Sequence, residues 1–169
     1  MLDVIFSHGK ESGPWGTKIR QLADTAQALG CQVDSLDYRH TMDPDVRVTQ
    51  LVDYLQGKDP TRTLLVGSSM GGYVTLQASQ QFAALGAFVL APAIYMPGYE
   101  HKAPQQVIRN LTIVHGWQDD IIPIEHSIRF ATAQRCTLHV VDDDHRLIGA
   151  LDTIDTWFRH YLERVLSSL

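Results

Sequence analysis

The segment of this chain best equipped for covalent chemistry is Gly67-Ser68-Ser69-Met70-Gly71-Gly72, which lies between an apolar run and the start of a helical pattern. A serine with glycines two places away on either side is the G-x-S-x-G turn, in which the chain reverses sharply from strand into helix. So tight a turn strains its central residue and leaves no room for side chains at the flanking positions, and Gly67 and Gly71 meet that demand. The turn would lift the Ser69 hydroxyl above the carboxyl edge of a sheet and aim the first N–H groups of the new helix, with its positive dipole end, at the same place. A glycine-rich turn of this kind can also hold a phosphate. Here no Lys-Ser or Lys-Thr pair follows the glycines, and the spacing does not fit G-x-G-x-x-G, so neither familiar nucleotide loop is present.

A serine hydroxyl is a poor nucleophile until a base takes its proton, and the base needs a carboxylate to fix its tautomer. Both partners should leave the carboxyl ends of later strands, the edge at which Ser69 would emerge. After the apolar run Leu111 to Val114 comes His115-Gly116-Trp117-Gln118-Asp119-Asp120. Asp119 is taken as the acid, with Asp120 left open by its adjacency; either could also cap a helix starting near Pro123. After the run Leu138 to Val141 comes Asp142-Asp143-Asp144-His145, and position makes His145 the base. In a chain with eight histidines any single one is ordinarily a surface or packing residue, and His40, His101, His126, His139 and His160 are read that way. The three consecutive aspartates read as a solvated turn or helix cap, since a hard cation draws alternating ligands from a longer loop; no metal is expected. The oxyanion of an attacked carbonyl would be held by the backbone N–H groups of Lys10 and Met70. Gly9, in Ser7-His8-Gly9-Lys10 after the first strand, would permit the close approach, and His8 reads as a turn-stabilising residue.

These residues need a scaffold, and the rhythm of the chain supplies one. Val4 to Phe6, Val33 to Leu36, Thr63 to Val66, Ala87 to Leu90, Leu111 to Val114 and Leu138 to Val141 are short and rich in β-branched or large apolar residues, as buried parallel strands are. Between them Lys18 to Leu29, Val46 to Gln56, Met70 to Phe82, Glu125 to Ala133 and Ala150 to Leu166 carry apolar residues at helical spacing. Gly30 reads as the C-terminal cap of the first helix, and Asp43-Pro44 as the N-cap and first residue of the second. Right-handed crossovers then predict an α/β protein: a three-layer α/β/α sandwich around a six-stranded parallel sheet. Ala91 to Asn110, with Pro92, Pro97, Gly98 and Pro104, reads as a surface excursion without a long helix.

With 169 residues, no internal repeat and no linker, residues 1–169 are expected to form one domain that buries about two-thirds of its unfolded surface. A net charge of −5 without clustered Lys and Arg argues against a nucleic-acid partner. No run is long and apolar enough for a membrane span. Met1 to Ser7 lacks a basic leader or cleavage site, so a cytoplasmic location is expected. Cys31 and Cys136 have neither metal-site spacing nor the density of a disulfide scaffold, and are expected to be buried free thiols.

Taken together, Ser7-His8-Gly9, the Gly67 to Gly72 turn, His115-Gly116 with Asp119 and Pro123, and His145 resemble the α/β-hydrolase superfamily over nearly the whole chain. The likeness is to small bacterial serine esterases, distantly similar to the dienelactone-hydrolase and acyl-thioesterase branches. The resemblance implies a minimal α/β-hydrolase fold with strand order 2-1-3-4-5-6, without the antiparallel strand pair of larger members. It also implies hydrolysis of a small to medium ester or thioester through an acyl-enzyme, with no cofactor. Only Pro92 to Asn110 is available for a lid, so no large cap domain is expected. Tyr95, Met96 and Tyr99 on that excursion, with Trp15 and Trp117 on neighbouring loops, either wall a shallow apolar pocket or simply pack. Tyr38, with Arg39 and His40, could favour an anionic group. A catalytically idle binding module of the same fold, for a ligand or protein, is the alternative, although such modules usually lack a triad member.

Overall fold

Short apolar runs become the strands of one parallel sheet, and amphipathic stretches become the helices that cover it. The computed structural model describes all residues, Met1–Leu169. In chain order the elements are β1 (Asp3–Ser7), α1 (Thr17–Ala28), β2 (Gln32–Leu36), α2 (Pro44–Leu55), β3 (Thr63–Ser68), α3 (Met70–Phe82), β4 (Gly86–Leu90), β5 (Leu111–Gly116), α4 (Ile124–Gln134), β6 (Thr137–Val141) and α5 (Leu151–Ser167), with a single 3-10 turn at Pro60–Arg62. The six strands lie in the order β2-β1-β3-β4-β5-β6, every pairing being parallel. No cap domain covers the sheet, and no helix is long and apolar enough to cross a membrane.

Because strand side chains alternate between faces, β1 sends Val4 and Phe6 to one side and Ile5 to the other. The first face is covered by α1 and α5: Ile19, Leu22 and Ala26 meet Ile154, Phe158 and Leu162 over Leu64, Val66 and Phe88. The opposite face is covered by α2, α3 and α4, with Val48, Leu51 and Val74 over Ile5 and Leu65, and Leu76 and Phe130 over Val89 and Ile113. β1, β3, β4 and β5 are thus sandwiched on both sides.

The edge strands correct the expectation of six buried strands. Along β2, Gln32 and Asp34 are exposed, and along β6 only Val141 is buried. An edge strand has a neighbour on one side only, so its outer margin meets water.

Local chemistry explains where the helices start and stop. Gly30, at φ +81°, follows α1, where the Cys31 amide donates to the Ala26 carbonyl at 3.0 Å and the Gly30 amide to Gln27 at 2.9 Å, a Schellman ending. The Asp43 carboxylate accepts from the Asp45 and Val46 amides at 2.9 and 3.3 Å, so α2 opens at Pro44, two residues before the apolar periodicity shows it. Between Ala91 and Asn110 the chain makes only bends and turns.

Candidate active site

All parallel strands end at one edge of the sheet, and four loops leaving that edge build the site. The sharpest turn is the one from β3 into α3, where Ser69 sits at φ 55°, ψ −120°, a conformation that costs of order 1–3 kcal/mol and persists only where its surroundings dictate it. The surroundings do so. The Ser69 amide donates to the Leu90 carbonyl at 2.9 Å, and its carbonyl accepts from Gly72 and Ala93 at 2.9 and 3.0 Å. The flanking glycines are close-approach points: a Cβ on Gly67 would stand 2.1 Å from the Gly71 carbonyl oxygen, and one on Gly71 would stand 2.0 Å from that of Ser7. Gly71 thus serves the packing of α3 against the end of β1 as well as the turn itself.

The structure brings Ser69, His145 and Asp119 together. The loop after β6 places His145 Nε2 2.9 Å from Ser69 Oγ and its Nδ1 2.7 Å from Asp119 Oδ2. A carboxylate only accepts, so Nδ1 carries the hydrogen and Nε2 is left to accept the Ser69 hydroxyl proton. Asp119 is set by the turn after β5: its Oδ1 accepts from the Ile121 and Ile122 amides at 2.9 and 2.8 Å, and its side chain is fully buried. Burial pushes this carboxyl up, but the hydrogen bonds from His115, His145 and the two amides outweigh it and hold the group well below the usual carboxylate range. Asp120, left open by the sequence, is exposed, and it is Asp119 that meets the imidazole.

His115, to which the sequence reading gave no role of its own, reaches the same carboxylate. It is the last residue but one of β5 and fully buried; its Nε2–H donates to the Ile122 carbonyl at 2.9 Å and lies 3.0 Å from Asp119 Oδ2, while Nδ1 meets the Ser127 hydroxyl at 2.7 Å. A histidine near the end of a strand and four residues before Asp119 was the available signal.

The loop after β1 passes beside Ser69: a Cβ on Gly9 would stand 3.7 Å from the Ser69 Cβ. The Lys10 and Met70 amides donate to no acceptor in the protein, Met70 because it opens a helix. His8 is buried, with Nδ1–H donating to the Gly9 carbonyl at 2.8 Å and Nε2 accepting from the Tyr38 amide at 2.9 Å. That pair of bonds demands the neutral ring, and burial lowers the pKa of His8 accordingly. Arg47, unmarked in the sequence, lies beneath this loop and is fully buried. The aspartates before His145 shape their own loop: Asp143 accepts from Asp144 and from Ala150, at the start of α5, both at 2.8 Å.

The pocket residues expected from the sequence scatter. Tyr38 is corrected: it is fully buried, its hydroxyl 2.9 Å from Ser7 Oγ, so it packs rather than meeting a ligand. Its neighbour Arg39 is tied to Asp37 by a surface ion pair at 2.6 Å. Tyr95 packs against α4, with the Arg129 guanidinium 4.0 Å over its ring and His126 edge-on. Met96 and Tyr99 lean on the core beside Tyr73, Tyr99 meeting that ring edge-on at 4.8 Å. Trp15 and Trp117, at 39% and 56% exposed, remain open on the loops after β1 and β5. Neither cysteine is paired; Cys31 is buried, but Cys136, next to edge strand β6, is only half-buried.

Two concavities lie away from Ser69. One of about 460 Å³ is walled by Gln77, Gln80 and His101, and one of about 290 Å³ by His139, Trp157 and Arg164. Both are less informative about chemistry than the hydrogen-bonded rim. The ligating atoms of Asp45, Glu100 and His101 lie within 4.8 Å of one another, but Asp45 is already bonded to the Tyr73 hydroxyl at 2.6 Å, and Glu100 and His101 are exposed.

Residues 3–101 match the model of a family described as Uncharacterised protein family (UPF0227). No curated protein matches the chain in sequence. Among solved structures, the chain is similar to a protein of Xanthomonas campestris pv. campestris assigned to the alpha/beta hydrolase superfamily, with 29% identity, 97% of this chain and 99% of that one covered, and a TM-score of 0.87. It is also similar in fold to Est1E from Butyrivibrio proteoclasticus, with 18% identity, coverage of 98% and 88%, and a TM-score of 0.82. An esterase from Pyrococcus furiosus shares the fold at 17% identity, coverage of 96% and 82%, and a TM-score of 0.80. The fold is that of the alpha/beta hydrolase superfamily.

Proposed function

The chain belongs to the uncharacterised protein family UPF0227, and we propose that it is a serine hydrolase that cleaves a carboxylic ester or thioester of small to medium size through an acyl-enzyme. The observation that carries this reading is the continuous relay from Ser69 Oγ through the His145 ring to Asp119, with contacts of 2.9 and 2.7 Å. Ser69 Oγ attacks the carbonyl carbon while its proton passes to His145 Nε2. Asp119 steadies the imidazolium without taking its proton. The Lys10 and Met70 N–H groups hold the oxyanion as it forms. The tetrahedral intermediate collapses, the leaving group takes the proton from Nε2, and the acyl group stays on Ser69. Water, deprotonated by the same imidazole, then releases the acid.

The open rim beside Trp15 and Trp117 suits a substrate that lies across the surface of the molecule rather than one swallowed by a deep lid. The Pyrococcus furiosus esterase of similar fold points toward acyl esters as the first compounds to try. Reaction with a fluorophosphonate tests the reading: wild type should be labelled with loss of p-nitrophenyl ester hydrolysis, and Ser69→Ala should not be labelled. Equal labelling of both would remove Ser69 as nucleophile.

A further inference from the structure

Arg47 is a charged side chain with no solvent exposure, and no carboxylate pairs with it. Buried charges normally find an opposite charge. This one is met by neutral oxygens, three of them from consecutive residues of the loop after β1. Nη1 donates to the Gly9 carbonyl at 3.1 Å and reaches that of His8 at 3.5 Å, and Nη2 donates to the Lys10 carbonyl at 3.1 Å. Nε donates to Thr41 at 2.9 Å, and the guanidinium carbon lies 5.5 Å over the Tyr38 ring. The Gly9 carbonyl is held most firmly, since it also accepts from His8 Nδ1 at 2.8 Å and from the Ser12 hydroxyl at 3.3 Å.

No peptide bond in the chain is cis, so the N–H of Lys10 points opposite to the Gly9 carbonyl across the same peptide plane. Fixing that carbonyl on Arg47 therefore fixes the free Lys10 N–H at the opposite edge of the same plane, pointing the other way. Gly9 stands beside the Ser69 Cβ, where an oxyanion would form. We propose that Arg47 is a positioning residue for the oxyanion site: its guanidinium anchors the His8–Lys10 carbonyls, and so presets the Lys10 amide, polarises it through the Gly9 peptide, and adds a fixed positive charge beneath it. This inference rests on the serine-hydrolase reading. Cation-to-carbonyl contact strengthens the donor at the other end of the same amide, and preorganised donors act on the charge that develops in the transition state rather than on the bound substrate. The guanidinium spreads its donors over three nitrogens in a rigid plane, each meeting a different carbonyl here, and the single nitrogen of a lysine ammonium does not reproduce that spread, so lysine cannot fully replace it.

The test uses p-nitrophenyl acetate turnover together with inhibition by trifluoroacetophenone, which forms a tetrahedral adduct, and by acetophenone, which stays planar. Circular dichroism first establishes that each variant is folded. Arg47→Met should lower kcat by about 10²-fold or more with KM within about threefold of wild type. It should weaken trifluoroacetophenone by a similar factor while acetophenone inhibition holds. Arg47→Lys, which keeps the charge and is the variant to rely on if Arg47→Met does not fold, should recover part of the rate and still lose at least about tenfold in kcat. Wild-type kcat in folded Arg47→Lys or Arg47→Met, or a loss confined to KM, would overturn the proposal. Turnover that survives Ser69→Ala would instead overturn the serine reading, whatever the Arg47 variants do.

Discussion

At the scale of single residues, identity and role separate most cleanly at the two adjacent aspartates. Asp119 faces the His145 ring, whereas Asp120 is exposed one residue later. In the proposed mechanism Asp119→Asn leaves the fold intact but permits the wrong imidazole tautomer, so kcat should fall by roughly 10⁴-fold, while Asp120→Asn stays within a fewfold of wild type. Steady-state hydrolysis of p-nitrophenyl acetate by the two variants checks this, and a larger loss at Asp120 would reverse the assignment. Ser69, Asp119 and His145 were legible in the sequence because each stands just past an apolar run, where a parallel sheet must gather its loop residues. His115 and Arg47 were not. His115 hides its contact with Asp119 inside the buried end of a strand, and Arg47 sits on a helix whose periodicity marks only apolar positions, with partners that are main-chain carbonyls and leave no trace in residue types.

At the scale of elements, the strand–turn–helix unit is fixed by what cannot fit between β1 and α3. A methyl group on Gly71 would meet the Ser7 carbonyl oxygen at 2.0 Å and that of His8 at 2.6 Å, and neither backbone atom can rotate aside. Gly71→Ala should therefore destabilise the protein by about 3 kcal/mol, the upper end for overpacking, and shift the loop carrying Gly9. Urea unfolding of the variant measures this; stability within about 0.5 kcal/mol of wild type, the range of an inert surface change, would show that the contact is not rigid. The alternation of elements was readable because short, continuous apolar runs set the strands apart from longer stretches with apolar residues at helical spacing, and Asp43-Pro44 and Gly30 mark two helix ends by capping chemistry. What periodicity could not show was the exposure of β2 and β6. Edge position depends on strand order, which came from the family resemblance and not from the runs themselves.

At the scale of the whole molecule, the fold links its stability to protonation at the same edge that bears the site. His8 is held neutral by burial, with its folded pKa below the ordinary 6.5. Between those two values the unfolded chain binds more protons, so the His8 contribution is complete above pH 6.5 and is lost as pH falls through the folded value. Asp119 is shifted downward from 3.8, so its contribution is present above that pH and is lost only in stronger acid. Urea midpoints should thus decline from pH 7 toward pH 5, and His8→Gln should flatten that decline; an equally steep decline in the variant would place the effect elsewhere. The most direct measurement of the central claim is the site of covalent modification. After reaction with a fluorophosphonate, intact-mass and peptide analysis should find one adduct, on Ser69, formed at a rate that collapses in His145→Ala. An adduct on another residue, or an undiminished rate in that variant, would contradict the relay on which the whole account rests.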